Sequence, residues 1–105
     1  MMTQGKGIWG STRYFIKIDL NSNIFSTTTS GIVAFYDTRG LIQEKDCNNL
    51  KEIVQTVFDF WSTILAPHET RVARWVEEYF NEMGVASDYN LIMRLLKNDE
   101  LLEPE

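Results

Sequence analysis

With one histidine and one cysteine, the chain has few ways to do chemistry. His68-Glu69-Thr70-Arg71-Val72 opens like the zinc-protease pattern H-E-x-x-H, but its fifth position is Val72. The metal needs two imidazoles one helical turn apart, so that site is absent. A Cys/His zinc site within one subunit is excluded on the same count. Nucleophilic catalysis would need Cys47 and His68 to meet, yet the helix predicted between them is roughly 27 Å long at 1.5 Å per residue. Asp19, Asn21 and Asn23 imitate the first ligands of a calcium loop. Ile24 stands where that loop needs Gly, and Ser30 where it needs a bidentate Glu, so a turn is expected instead. Gly5-Lys6-Gly7-Ile8-Trp9-Gly10 matches G-x-G-x-x-G by letter. The dinucleotide motif requires a strand before it and a helix after it, and here a strand follows, so residues 1–12 are read as a partly flexible lead. No catalytic residue, metal or cofactor is expected, and the chain is read as a non-enzyme.

Two groups of residues remain as candidates for binding. Glu77, Glu78 and Glu82 crowd one predicted helix, where an acidic surface would steer a basic protein partner. The competing reading is a solvated face that keeps a small protein in solution. Arg13, Phe15 and Lys17 alternate on one face of a predicted strand, the basic-plus-aromatic interleaving with which single-strand nucleic-acid binders stack bases and meet phosphates. Asp19 and the overall charge of −5 oppose that second use.

The charge is unevenly divided. Residues 1–45 carry five bases against three acids, a net of +2, whereas residues 46–105 carry five bases against twelve acids, a net of −7. The acid therefore sits on the half predicted to be helical. At 105 residues, 44% hydrophobic and 12% aromatic, the chain suits a single domain over 1–105 that buries roughly 60–70% of its unfolded surface. The first ten residues hold Lys6 but no apolar run, so no secretory signal is expected. The longest uncharged run, residues 20–36, is rich in Ser and Thr and broken by Gly31, which does not suit a membrane helix. A lone cysteine fits a reducing compartment, and a cytoplasmic location is expected.

The elements that must position these residues follow from periodicity. Leu50, Ile53, Val54, Val57, Phe58, Trp61, Ile64 and Leu65 recur at helical spacing and predict a helix over 49–65, with Asn49 and Glu52 forming an approximate capping box. Val72, Trp75, Val76, Tyr79, Phe80 and Met83 predict a second helix that starts at Pro67 and ends before Gly84. Ser87 or Asp88 caps a third, carrying Leu91, Ile92, Leu95 and Leu96, and residues 98–105 read as an acidic tail. Upstream, Tyr14, Ile16, Ile18 and Leu20 alternate as a half-buried strand. Residues 24–37 form the second strand of a long hairpin centred on Ser22, with Leu20 facing Ile24 and Ile16 facing Thr28, and Gly31 hosts a bulge. Asp37 to Gly40 make a type I turn into a third strand over 41–45. The fold class is thus α+β, a three-stranded antiparallel meander followed by two or three helices on one sheet face. The uncharged strand over 24–36 would leave an unguarded edge, which makes homodimerisation by strand pairing plausible. The function expected from all this is a small acidic protein-binding module, such as a stoichiometric inhibitor, an immunity-type protein or an assembly factor. The alternative is a single-stranded nucleic-acid binder.

Overall fold

Alternation in residues 14–20 places Ile16 and Ile18 on one side of a strand with no exposed surface to speak of, and that side becomes the floor of the core. The computed structural model describes residues 5–22 and 24–97. Four antiparallel strands run in chain order across one sheet: β1 (Lys6–Gly7), β2 (Tyr14–Leu20), β3 (Gly31–Asp37) and β4 (Gly40–Cys47). Three helices follow, α1 (Leu50–Ser62), α2 (Glu69–Glu82) and α3 (Tyr89–Leu96). The α+β class is as expected, with four strands in place of three. The additional strand is β1, taken from the glycine-rich start, whose Lys6 and Gly7 pair with Ile16 and Phe15.

The register of the hairpin differs from the expected one. Leu20 faces Gly31, Ile18 faces Val33 and Ile16 faces Phe35, so residues 21–22 and 24–30 lie outside the ladder. The physical reason is the core. The register centred on Ser22 would set Ser26, Thr28 and Ser30 against the apolar row of β2, whereas the observed one sets Val33 and Phe35 there. The expelled hydroxyls bond within their own loop. Thr29 Oγ1 donates to the Ile24 carbonyl at 2.5 Å and accepts from the Ser26 amide at 2.9 Å, and the Thr27 carbonyl accepts from the Leu50 amide at 3.1 Å. Gly31 is needed for close approach, because a Cβ there would run into the Asp19 carbonyl, and it hosts no bulge. The bulge lies farther on, where Phe35 faces Gln43 but Tyr36 faces Leu41, leaving Ile42 as the extra residue. The uncharged strand expected at an edge is therefore an interior one. The edge is β4, guarded by Glu44, Lys45, Asp46 and the bulge, and the premise for edge pairing is lost.

α1 begins as expected at Asn49, whose side chain accepts from the Glu52 amide at 2.9 Å, while Glu52 accepts from the Asn48 amide at 2.8 Å. It stops at Ser62 rather than at residue 65. Its buried stripe takes Phe60 in place of Phe58, because Phe60 stacks on Phe35 of the sheet with centroids 5.1 Å apart and planes 9° apart. Pro67 lies ahead of the cap of α2 instead of in its first turn. The cap is His68, and Gly84, at φ 82°, takes the left-handed position just past the helix end. Asp88 caps α3, accepting from the Asn90 and Leu91 amides. Trp61 of α1 and Trp75 of α2 are both fully buried and meet edge to face at 6.0 Å, and Gln55 of α1 donates to the Leu95 carbonyl of α3 at 3.1 Å. One core cluster joins Ile16, Ile18, Val33 and Phe35 of the sheet to the buried stripes of all three helices. The expected acidic tail, residues 98–105, lies outside the described residues.

Candidate functional site

The three glutamates of α2 do not form a free acidic patch. Lys6 of β1 reaches across the sheet end and places its Nζ 3.2 Å from Glu78 Oε1 and 3.1 Å from Glu82 Oε2. Burial alone would lower the Lys6 pKa, but the hydrogen bonds and charges of Glu82 and Glu78 outweigh it and hold the ammonium above its ordinary range. Glu78 and Glu82 remain half to two-thirds exposed, so their outer oxygens still meet solvent. Glu77 is half-buried, and its backbone carbonyl accepts from Ser87 Oγ at 3.5 Å. Only two of the three expected carboxylates therefore act together, around a lysine that periodicity does not connect to them.

Beside this clamp lies a cleft of about 330 Å³ lined by Gly5, Lys6, Tyr79, Glu82 and Met83. Its one polar group besides the ion pair is Tyr79. The phenol accepts from the Ile18 amide at 2.8 Å and donates to the Ile18 carbonyl at 3.4 Å, taking the place of a strand at that point of the β2 edge. Burial raises the phenol pKa, against the backbone bond that lowers it, so Tyr79 stays protonated at neutral pH. The cleft thus presents a paired ammonium, a phenol tied to the backbone and the outer carboxylate oxygen of Glu82.

The other reactive residues are placed structurally. Cys47 is buried at the end of β4, 3.5 Å from Thr56 Oγ1, and burial raises its thiol pKa despite that hydrogen bond. His68 uses Nδ1 to accept from the Thr70 amide at 3.4 Å as the cap of α2. Among the described residues no group of three or more His, Cys, Asp or Glu is placed to hold a metal ion.

The second candidate group lies on the outer face of the sheet, away from the core cluster. Register sets its side chains in rows across β2, β3 and β4: Phe15, Tyr36 and Leu41, then Lys17, Ala34 and Glu44, then Asp19, Ile32 and Asp46. Phe15, Ile32 and Tyr36 are half-buried, Leu41 is 52% exposed, and none of them belongs to the core cluster. Lys17 sits 3.7 Å from Asp19. Arg13 is exposed one residue before β2, close to this face. Sequence reasoning located Phe15 and Lys17 on this face but missed Ile32, Ala34, Tyr36 and Leu41. One signal could have found the first three: β3 is apolar at every position from Ile32 to Tyr36, the composition of a strand covered on both faces. The basic Arg13, Lys17 and nearby Arg39 are matched in number by Asp19, Glu44 and Asp46, so the face carries no basic footprint for phosphates.

Among the described residues no helix is long and apolar enough to cross a membrane. No family model, curated relative or solved structure matches the chain.

Proposed function

We propose that this chain is a small non-enzymatic protein-binding module, of the kind that acts as a stoichiometric inhibitor, an immunity-type protein or an assembly factor, and that it docks protein on the outer face of its sheet. The observation that carries this reading is the apolar group Phe15, Ile32, Ala34, Tyr36 and Leu41, gathered by register on a face that the core does not use. A row of large apolar side chains held on rigid strands, with charges around it, has the layout of an interface with an apolar centre and a polar rim. The acidic surface of α2 is a second reading, favoured by the exposure of Glu78 and Glu82, and its role would be to speed encounter with a basic protein. Nucleic acid ranks lower despite Phe15 and Tyr36 lying side by side, because stacking without a basic groove gives little affinity. A cytoplasmic location agrees with the single buried thiol.

The test is capture from nuclease-treated and untreated lysate by three immobilised chains: wild type, Phe15→Ser with Tyr36→Ser, and Glu77→Gln with Glu78→Gln and Glu82→Gln. Neutralisation is chosen over reversal because a lysine at either Glu78 or Glu82 would face Lys6. A stoichiometric protein retained by the wild type and the Gln variant but lost by the Ser variant is the expected result. Loss in the Gln variant alone would move the site to α2, and loss on nuclease treatment would move the function to nucleic acid.

A further inference from the structure

The outer face is graded along its strands. At one end Arg13 and Arg39 are both exposed, while Asp37 between them is engaged by the turn, its Oδ1 accepting from the Arg39 and Gly40 amides at 2.7 and 3.1 Å. Next comes the row of Phe15, Tyr36 and Leu41, then the row of Lys17, Ala34 and Glu44. At the far end Asp19 and Asp46 flank Ile32. A surface that runs from basic through apolar to acidic is complementary to itself when a second copy is laid on it with the strands reversed.

We infer that the partner of this face is a second copy of the chain, packed sheet on sheet about a two-fold axis that lies between the sheets and crosses the strands. This rests on the sheet-face reading above and names its occupant. Under that operation Arg13 and Arg39 meet Asp19 and Asp46 of the partner subunit, and the reciprocal contacts close the other end. The row of Phe15, Tyr36 and Leu41 falls on the partner subunit's Lys17, Ala34 and Glu44. Ala34 is the smallest side chain of the face, so it leaves a dip between two longer ones, and Tyr36 of the partner subunit lies above that dip. The stem of Lys17 lies along the ring of Phe15 of the partner subunit, with its ammonium directed outward. Laying the copies with strands parallel would set arginine on arginine and aspartate on aspartate, which the charges oppose. The three strands that carry these rows, each of seven or eight residues, give a footprint of roughly 14 by 23 Å. That is small for a specific interface, so association is expected in the micromolar range.

The experiment is sedimentation equilibrium from low to high micromolar concentration at low salt, on the wild type and two double variants. Arg13→Glu with Arg39→Glu leaves acid at both ends of the face, and Asp19→Arg with Asp46→Arg leaves base at both ends. The wild type should pass from monomer to dimer. Each variant alone should dimerise at least about tenfold more weakly, and an equimolar mixture of the two should recover the dimer. All four positions are exposed, so circular dichroism of each variant should match the wild type. A wild type that stays monomeric overturns the inference, and so does a dimer indifferent to both reversals or a mixture that fails to recover. A monomeric wild type leaves the sheet-face reading to be judged by the capture assay alone, so the two can fail separately.

Discussion

The two faces of the sheet are built from the same strands with the same alternation, yet they end in opposite states. On the inner face Ile16, Ile18, Val33 and Phe35 are each exposed by 4% or less and are joined to the helices. On the outer face the interleaved residues Phe15, Lys17, Asp19, Ile32 and Tyr36 stay in contact with solvent. The difference lies in β2. Its inner positions are all apolar, whereas its outer ones carry one aromatic and two charges, and charge is costly to bury without a partner. β3 draws no such distinction, being apolar on both sides. A strand suited to double coverage inside a sheet covered once leaves apolar side chains on the outer face, and on that excess the proposed docking surface rests.

That comparison can be broken most severely at the point where the inner face meets the helices. Trp61→Ala should cost about 3–5 kcal/mol in denaturant titration, since the indole is fully buried between Trp9 and Trp75. Trp61→Phe should cost only about 1–2 kcal/mol, because the buried Nε1 has no hydrogen-bond partner to lose. A loss for Trp61→Ala below about 1 kcal/mol would mean that the stripe of α1 is not core.

The sharpest contrast is between neighbours on opposite faces of β3. Phe35→Ala removes a ring stacked on Phe60 and on Tyr14, and should cost about 3–4 kcal/mol. Tyr36→Ala, one residue on, should cost less than about 1 kcal/mol if its ring serves binding rather than folding. Equal losses would show that the outer face is part of the stabilising structure.

Gly31→Ala probes the register that produces both faces. The added methyl would press on the Asp19 carbonyl, and a loss of about 1–3 kcal/mol is expected by thermal or chemical unfolding. A neutral substitution would be inconsistent with the Leu20–Gly31 pairing.

The smallest effect is electrostatic and lies at the sheet end next to α2. Lys6 is raised above its ordinary 10.5 in the fold and Tyr79 above its ordinary 10.0. Both shifts favour the protonated form, so their stabilisation is present below those values and is lost as pH rises through the raised ones. Denaturant midpoints should therefore fall as pH rises past the ordinary values of these two groups, and Tyr79→Phe should flatten part of that slope. An unchanged slope in the Phe variant would separate Tyr79 from the alkaline transition.

Much of the helical half was open to reading from the sequence. The caps Asn49 and Asp88, the glycine after α2 and the buried pair Trp61 and Trp75 all follow from signals within one or two helical turns, where neighbours in the chain are neighbours in space. The same holds for β2 and the turn at Asp37. The candidate surfaces were less open. Phe15 and Lys17 could be placed on one face, but the residues that complete that face come from β3 and β4 and depend on register. Register is a choice between whole rows of contacts, and a shift inverts or displaces every pair at once. The sequence by itself determined the α+β class, the helices and the period of the central strand, because propensity, capping and alternation are local. Only the tertiary structure decided that the Ser/Thr run leaves the ladder, that β3 is interior and that Lys6 clamps Glu78 and Glu82. Those outcomes join residues up to 76 positions apart, and the contacts that select them exist only once the sheet and helices have packed.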